Sequence, residues 1–288
     1  MAHSSKRILT TLNAIHTSSI PIVLTIAGSD SSGGAGIQAD IKALSATGSY
    51  ACSVITAITA QNTLGVHAVF TIPLEYIEKQ LDAVFTDLNV VAVKVGMLAD
   101  GDIIKTVVAK IKQYQPRFLV VDPVMVSTSG DFLLPHSALG ILRSDLLPLA
   151  DIITPNLPEA AALIGRAVPR DQAEMHNMVT DLRQLGAKAI LLKGGHLQED
   201  DNSPDLLILP ANVHLLTAKR IHTRNTHGTG CTLSSAIASY LAQGNDLLLA
   251  VQLGKQYISQ AIAQADELDI GKGQGPVNHF FNRHANAC

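Results

Sequence analysis

Cysteine is scarce in this sequence, charge is modest, and no long apolar run occurs. Cys52, Cys231 and Cys288 are the only three cysteines in 288 residues, and no CxxC pair is present. An odd, scattered set does not make a disulfide framework, which points to a reducing, cytoplasmic setting. No apolar run reaches the roughly 18 residues of a membrane span. The net charge of −3 comes without a basic stripe, against a nucleic-acid partner. Anionic small substrates stay open, because helix N-termini bind them without net positive charge. Neither GxGxxG nor GxxxxGK[ST] occurs, so neither a dinucleotide fingerprint nor a P-loop is supported. Linkers, low-complexity blocks and internal repeats are also missing.

The apolar content of 47% is enough for a substantial core and argues against wholesale disorder. Residues 1–20 differ from the rest: they are Ser/Thr-rich, carry Lys6 and Arg7, and contain no acidic residue. A transit peptide can have this composition, but with two basic residues and no apolar h-region the stretch reads as a flexible N-terminal extension. Residues 21–288 read as one domain.

Within that domain short apolar runs alternate with helical periodicity. Strands are expected at 22–27, 51–60, 92–95, 118–121, 152–153 and 189–192, with a hairpin from 206–209 to 213–216. Helices are expected at 34–47, 74–87, 103–114, near 157, at 172–185, 228–241 and 247–268. The alternation predicts an α/β fold with a mostly parallel sheet covered on both faces.

Ligands of such sheets gather beyond the carboxyl ends of the strands, where several segments carry chemistry. Gly28-Ser-Asp-Ser-Ser-Gly-Gly-Ala-Gly36 follows the first strand. Its small residues let a ligand approach the backbone, although a tight capped turn explains them equally. Thr226-His-Gly-Thr-Gly-Cys231 opens a helix, so the N–H groups around Gly228, Thr229 and Gly230 can hold a phosphoryl group. The helix dipole there is expected to favour the Cys231 thiolate. Glu159 in Thr154-Pro-Asn-Leu-Pro-Glu159 can order water around Mg²⁺, or close a capping box with Asn156. Asp122 leaves a buried strand, where it serves phosphate or metal, or makes a turn before Pro123. Lys193 can neutralise phosphate charge, His196 is a cap or surface residue, and Gln61 has the donors and acceptor to read a heterocycle's edge.

Taken in order, AGSDSSGGAGIQAD (27–40), SVITAITAQNT (53–63), KVGML (94–98), DPVM (122–125), SGD (129–131), TPNLPEA (154–160), LKGGH (192–196), NTHGTGCTLSSA (225–236) and GKGQGPVNHF (271–280) resemble the hydroxymethylpyrimidine/phosphomethylpyrimidine kinases of thiamine biosynthesis. The resemblance implies a ribokinase-like three-layer α/β/α fold with a small extra β-element, and a homodimer. It implies phosphorylation by ATP, with Mg²⁺, of 4-amino-5-hydroxymethyl-2-methylpyrimidine and then of its monophosphate. By this likeness Gln61 reads the pyrimidine, with Gly28, Ala35, Asp40 and Met97 lining its pocket. Gly228 to Cys231 form the anion hole, and Cys231 is the general base. Glu159 and Asp122 support Mg²⁺ through water, Lys193, Thr226 and Thr229 sit near the phosphates, and Lys272 is tied loosely to the nucleotide end. A pyridoxal or pyridoxine kinase is the rival reading, and a non-catalytic binder of the pyrimidine or a B6 vitamer is the rival from another class.

Overall fold

A computed structural model describes residues 20–126, 133–195, 197 and 201–282. Most of the N-terminal extension, the SGD motif at 129–131, His196 and Cys288 lie outside the described residues.

Among the described residues nine strands form one sheet. They are β1 (Ile22–Asp30), β2 (Tyr50–Asn62), β3 (Gly65–Thr71), β4 (Val90–Val95), β5 (Phe118–Val121), β6 (Ile152–Ile153), β7 (Ile190–Lys193), β8 (Asn202–Ile208) and β9 (Val213–Lys219). Their spatial order is β3-β2-β1-β4-β5-β6-β7-β8-β9. The six strands from β2 to β7 in that order are mutually parallel, while β3, β8 and β9 extend the two edges antiparallel.

Strand alternation explains the two cores. Leu24, Ile26, Val93, Val95, Leu119 and Val121 point to one face, and Val23, Ala92 and Val120 to the other. The first face is covered by α2 (Leu74–Asp87), α3 (Gly101–Tyr114), α4 (His136–Ile141), α5 (Leu157–Ile164), α6 (Gln172–Asn177) and α7 (Val179–Arg183). The second is covered by α1 (Gly36–Ala46), α8 (Thr229–Ala242) and α9 (Leu247–Ala263). Burial on both sides is why the parallel strands read as apolar runs.

The differences from the sequence expectation have local causes. The expected helix 172–185 breaks at Met178 into α6 and α7, and the last helix gives way to a 3₁₀ turn at Ala265–Leu268. β3 was not expected. It pairs antiparallel with β2 as an exposed arm, and Val69 and Phe70 stay open to solvent, so its sequence carries no buried-face pattern. The stretch from His136 to Leu149, a short helix running into π and 3₁₀ turns, was likewise not expected.

The chain leaves β1 towards β2 on one side and returns to β4 on the other. The carboxyl ends of β1 and β4 therefore flank a topological switch point, where such sheets bind ligands.

Candidate active site

A cavity of about 840 Å³ opens at that point and runs along the carboxyl ends of the parallel strands. One end is formed by Gly28, Ala35, Gln61 and Met97, and the other by Ser203, Asp205, Lys219, Arg220, Lys255 and Ile262. Thr226 to Cys231, Asp122, Lys193 and Glu159 line the stretch between.

At the first end, the Gly28–Gly36 turn is organised around the Asp30 carboxylate. Its Oδ1 accepts from the Ser32 N–H and hydroxyl at 2.8 Å each, and its Oδ2 from the N–H groups of Gly34 (3.1 Å) and Ala35 (2.8 Å). Burial opposes the charge on Asp30, yet the His227 ring and these donors outweigh it and hold the carboxyl well below the usual range. Gly28 lies close under Met97: a Cβ there would be 3.1 Å from Met97 Cε, so the methionine would have to give way. Gln61 is fixed through its backbone, which donates to and accepts from the Ser31 hydroxyl, while its Oε1 accepts from Thr59 Oγ1 at 3.0 Å.

The second glycine turn packs directly on the first. Gly228 has φ of 81°, and a Cβ on it would fall 1.8 Å from the Gly34 carbonyl oxygen. The Thr226 carbonyl accepts from the N–H and hydroxyl of Thr229. The Gly230 and Cys231 N–H groups follow in the opening turn of α8, where the helix has no carbonyl to offer them. A Cβ on Gly230 would sit 3.2 Å from Asp122 Oδ2 and 3.3 Å from Lys193 Nζ, so the glycine turn abuts the charged cluster.

In that cluster Asp122 Oδ1 accepts from Thr154 Oγ1 and Lys193 Nζ, both at 2.9 Å. Burial disfavours the Lys193 charge, but Asp122 and then Glu159 raise its pKa above the ordinary value. Glu159 does close the capping box: its Oε2 accepts from the Asn156 N–H at 2.8 Å, and its own N–H donates to Asn156 Oδ1 at 2.9 Å. It also faces the cavity. Burial pushes its carboxyl up to about 7, with Lys193 opposing and Asp122 adding to the rise. No group of three or more metal-ligating side chains occurs among the described residues. Two hard carboxylates on one cavity wall do fit Mg²⁺, which keeps several waters and takes few protein ligands.

Three expectations are corrected by this geometry. Asp40 does not line the cavity: it is wholly buried, its oxygens accepting from Lys94 Nζ (2.8 and 2.9 Å), Thr25 Oγ1 (2.6 Å) and Ser235 Oγ (2.8 Å). Lys272 does not line it either. Its N–H and that of Gly273 donate to Thr63 Oγ1, which sets the segment against the β2–β3 arm on the Gln61 side. Cys231 is no ready thiolate: burial pushes its thiol up to about 11, and the pull of Lys94 and of the Gly36 N–H does not offset this. The helix start is outweighed by desolvation.

Asp30, His227 and Lys94 sit inside the motifs, yet spacing alone offers at most a turn cap for Asp30 and nothing for the other two. Only the fold shows that Asp30 and His227 meet, at 2.8 Å, across 197 residues of chain. The Lys255–Asp205 pair in the cavity wall, at 2.6 Å, had no sequence signal at all.

Comparison with known proteins agrees with this geometry. The family model described as phosphomethylpyrimidine kinase matches residues 30–278. A hydroxymethylpyrimidine/phosphomethylpyrimidine kinase of Escherichia coli is 50% identical over 257 residues, spanning 89% of this chain and 96% of that protein. The crystal structure of a phosphomethylpyrimidine kinase from Clostridium difficile, 48% identical, aligns with a TM-score of 0.74 over 84% of this chain and 99% of that one. A Bacillus subtilis pyridoxal kinase in complex with ADP, 35% identical, aligns at 0.84 over 92% of this chain and 100% of that one. With the motifs, the fold and a family match over most of its length in agreement, the chain belongs to the phosphomethylpyrimidine kinase family, within the ribokinase-like fold.

Proposed function

We propose that this protein transfers the γ-phosphate of ATP to the hydroxymethyl group of 4-amino-5-hydroxymethyl-2-methylpyrimidine, and then phosphorylates the monophosphate to the diphosphate. The observation that carries the reading is the order of groups along one cavity. Gln61 and Met97 stand at one end, the Gly228–Cys231 turn in the middle, and Asp122, Lys193 and Glu159 beside that turn. Phosphoryl transfer needs alignment and charge stabilisation more than covalent chemistry, and this order provides both.

In this account Gln61 hydrogen-bonds the pyrimidine edge, while Gly28, Ala35 and Met97 give it a close apolar wall. The N–H groups of Gly230 and Cys231 receive the transferred phosphoryl, and Lys193, Thr226 and Thr229 hold the phosphates. Asp122 and Glu159 would hold Mg²⁺ through its waters, and the ion would neutralise charge on the phosphate oxygens. Cys231 accepts the alcohol proton as the bond to phosphorus forms. With a pKa near 11 it starts as a thiol, so deprotonation must be drawn along by the Lys94 charge as the transfer proceeds. A substrate phosphate needs little deprotonation, so the second step depends less on Cys231.

A pyridoxal-phosphorylating activity is the second reading, favoured by the fuller structural overlap with the pyridoxal kinase. A homodimer belongs to the proposal too. The apolar side chains of Ile58, Val69 and Phe70 on the arm suit a second copy, which sedimentation would test. So does the cytoplasmic setting, which cell fractionation would test; no helix among the described residues is long and apolar enough to cross a membrane. A coupled ADP-release assay with hydroxymethylpyrimidine, its monophosphate and pyridoxal tests the function. Turnover with both pyrimidines is expected. Binding without turnover in all three arms would leave a binding protein instead.

A further inference from the structure

We propose that Asp30 and His227 form a positioning dyad that locks the glycine turn opening α8 onto the Gly28–Gly36 turn, holding the two halves of the site in register. The inference rests on the kinase reading of the cavity. Both side chains are buried, and His227 Nε2 lies 2.8 Å from Asp30 Oδ2. Four of the five donors to this carboxylate come from its own turn, and His227 supplies the fifth from the opposite one. His227 is itself anchored: its N–H donates to the Gly275 carbonyl at 3.0 Å, and its carbonyl accepts from the Val277 N–H at 3.3 Å.

Elsewhere the two turns meet closely at their glycines. A Cβ on Gly34 would lie 2.2 Å from His227 Cδ2, and one on Gly228 would strike the Gly34 carbonyl. No side-chain packing at these glycines can hold the turns together, so the polar pair sets their register. Gly36, two residues beyond Gly34, and Cys231, three residues beyond Gly228, both line the cavity, so the same register sets the surroundings of the proposed base. Phosphoryl transfer is sensitive to such alignment, since about 1 Å of misplacement costs about 10²-fold in rate. Losing the dyad should therefore lower kcat rather than weaken binding.

The test compares His227→Leu, His227→Gln, Asp30→Asn and the Asp30→Asn/His227→Leu pair, each checked for folding by circular dichroism. His227→Leu should lower kcat by about 10²-fold and leave KM for pyrimidine and ATP nearly unchanged. His227→Gln, whose amide can still donate to Asp30, should recover most of that loss, and the double variant should be little worse than His227→Leu. A raised KM with unchanged kcat, or equal activity in the Leu and Gln variants, would overturn the proposal. A second arm follows alkylation of Cys231 by iodoacetamide without substrates, read by mass spectrometry of its peptide. His227→Leu should change it severalfold and His227→Gln restore it; an unchanged rate counts against the dyad. Absence of wild-type turnover would sink the kinase reading alone, leaving the alkylation arm to decide the dyad.

Discussion

Two lysine–aspartate pairs lie close together in this molecule and do different work. In Lys94–Asp40 both side chains are fully buried, and four hydrogen bonds converge on the carboxylate from Lys94, Thr25 and Ser235. In Lys193–Asp122 the lysine is 15% exposed. There Oδ1 takes both side-chain bonds, while Oδ2 faces the backbone of Gly230. A carboxylate with its acceptor positions filled beneath the sheet edge braces α1 against α8. One with an oxygen turned to the cavity wall can act on a ligand. Residue type does not separate the two; unfilled hydrogen-bonding capacity does.

The comparison breaks most visibly at Asp40. Asp40→Ala leaves Lys94 buried without its counter-ion and should cost about 3–5 kcal/mol of stability in denaturant unfolding. Native stability with lost activity would mean that Asp40 serves the ligand after all. Asp122→Asn should do the reverse, keeping the fold while kcat falls about 10²–10³-fold in the coupled assay. Cys231→Ser comes next: the alcohol step should slow by about 10²-fold and the monophosphate step much less. Equal losses in both steps would remove the base role. The smallest effect belongs to Glu159. Its folded pKa of about 7 lies above the ordinary 4.5, so the folded state binds more protons between those values. Stability should therefore fall as pH rises from about 4.5 to 7, with a slope no steeper than about 1.4 kcal/mol per pH unit. Glu159→Gln keeps the capping box, so thermal melts of the variant should lack this component.

Much of this could be read from the sequence, for identifiable reasons. Phe118 to Val121 reads as a strand because both its faces are buried, whereas β3 has too little buried surface to show a period. The glycine turns could be read because close backbone approach admits no other residue. The two readings of Glu159 did not compete, since the side chain caps α5 and faces the cavity at once. The placement of Asp40 and the expected thiolate at Cys231 needed revision for a shared reason. Spacing places a residue on a helix, but not the desolvation or the partners it meets on the neighbouring element. Lys94 lies 54 residues from Asp40, and no local pattern joins them.

The central claim is that the Gly230-facing cluster is the phosphoryl-transfer centre for a hydroxymethylpyrimidine. Following ATP and the pyrimidine alcohol by ³¹P NMR tests it most directly, with wild type beside Asp122→Asn. The account predicts a monophosphate signal followed by a diphosphate signal with wild type, and neither over the same time course with the folded variant. Undiminished product from Asp122→Asn, or no pyrimidine phosphate from wild type, would contradict it.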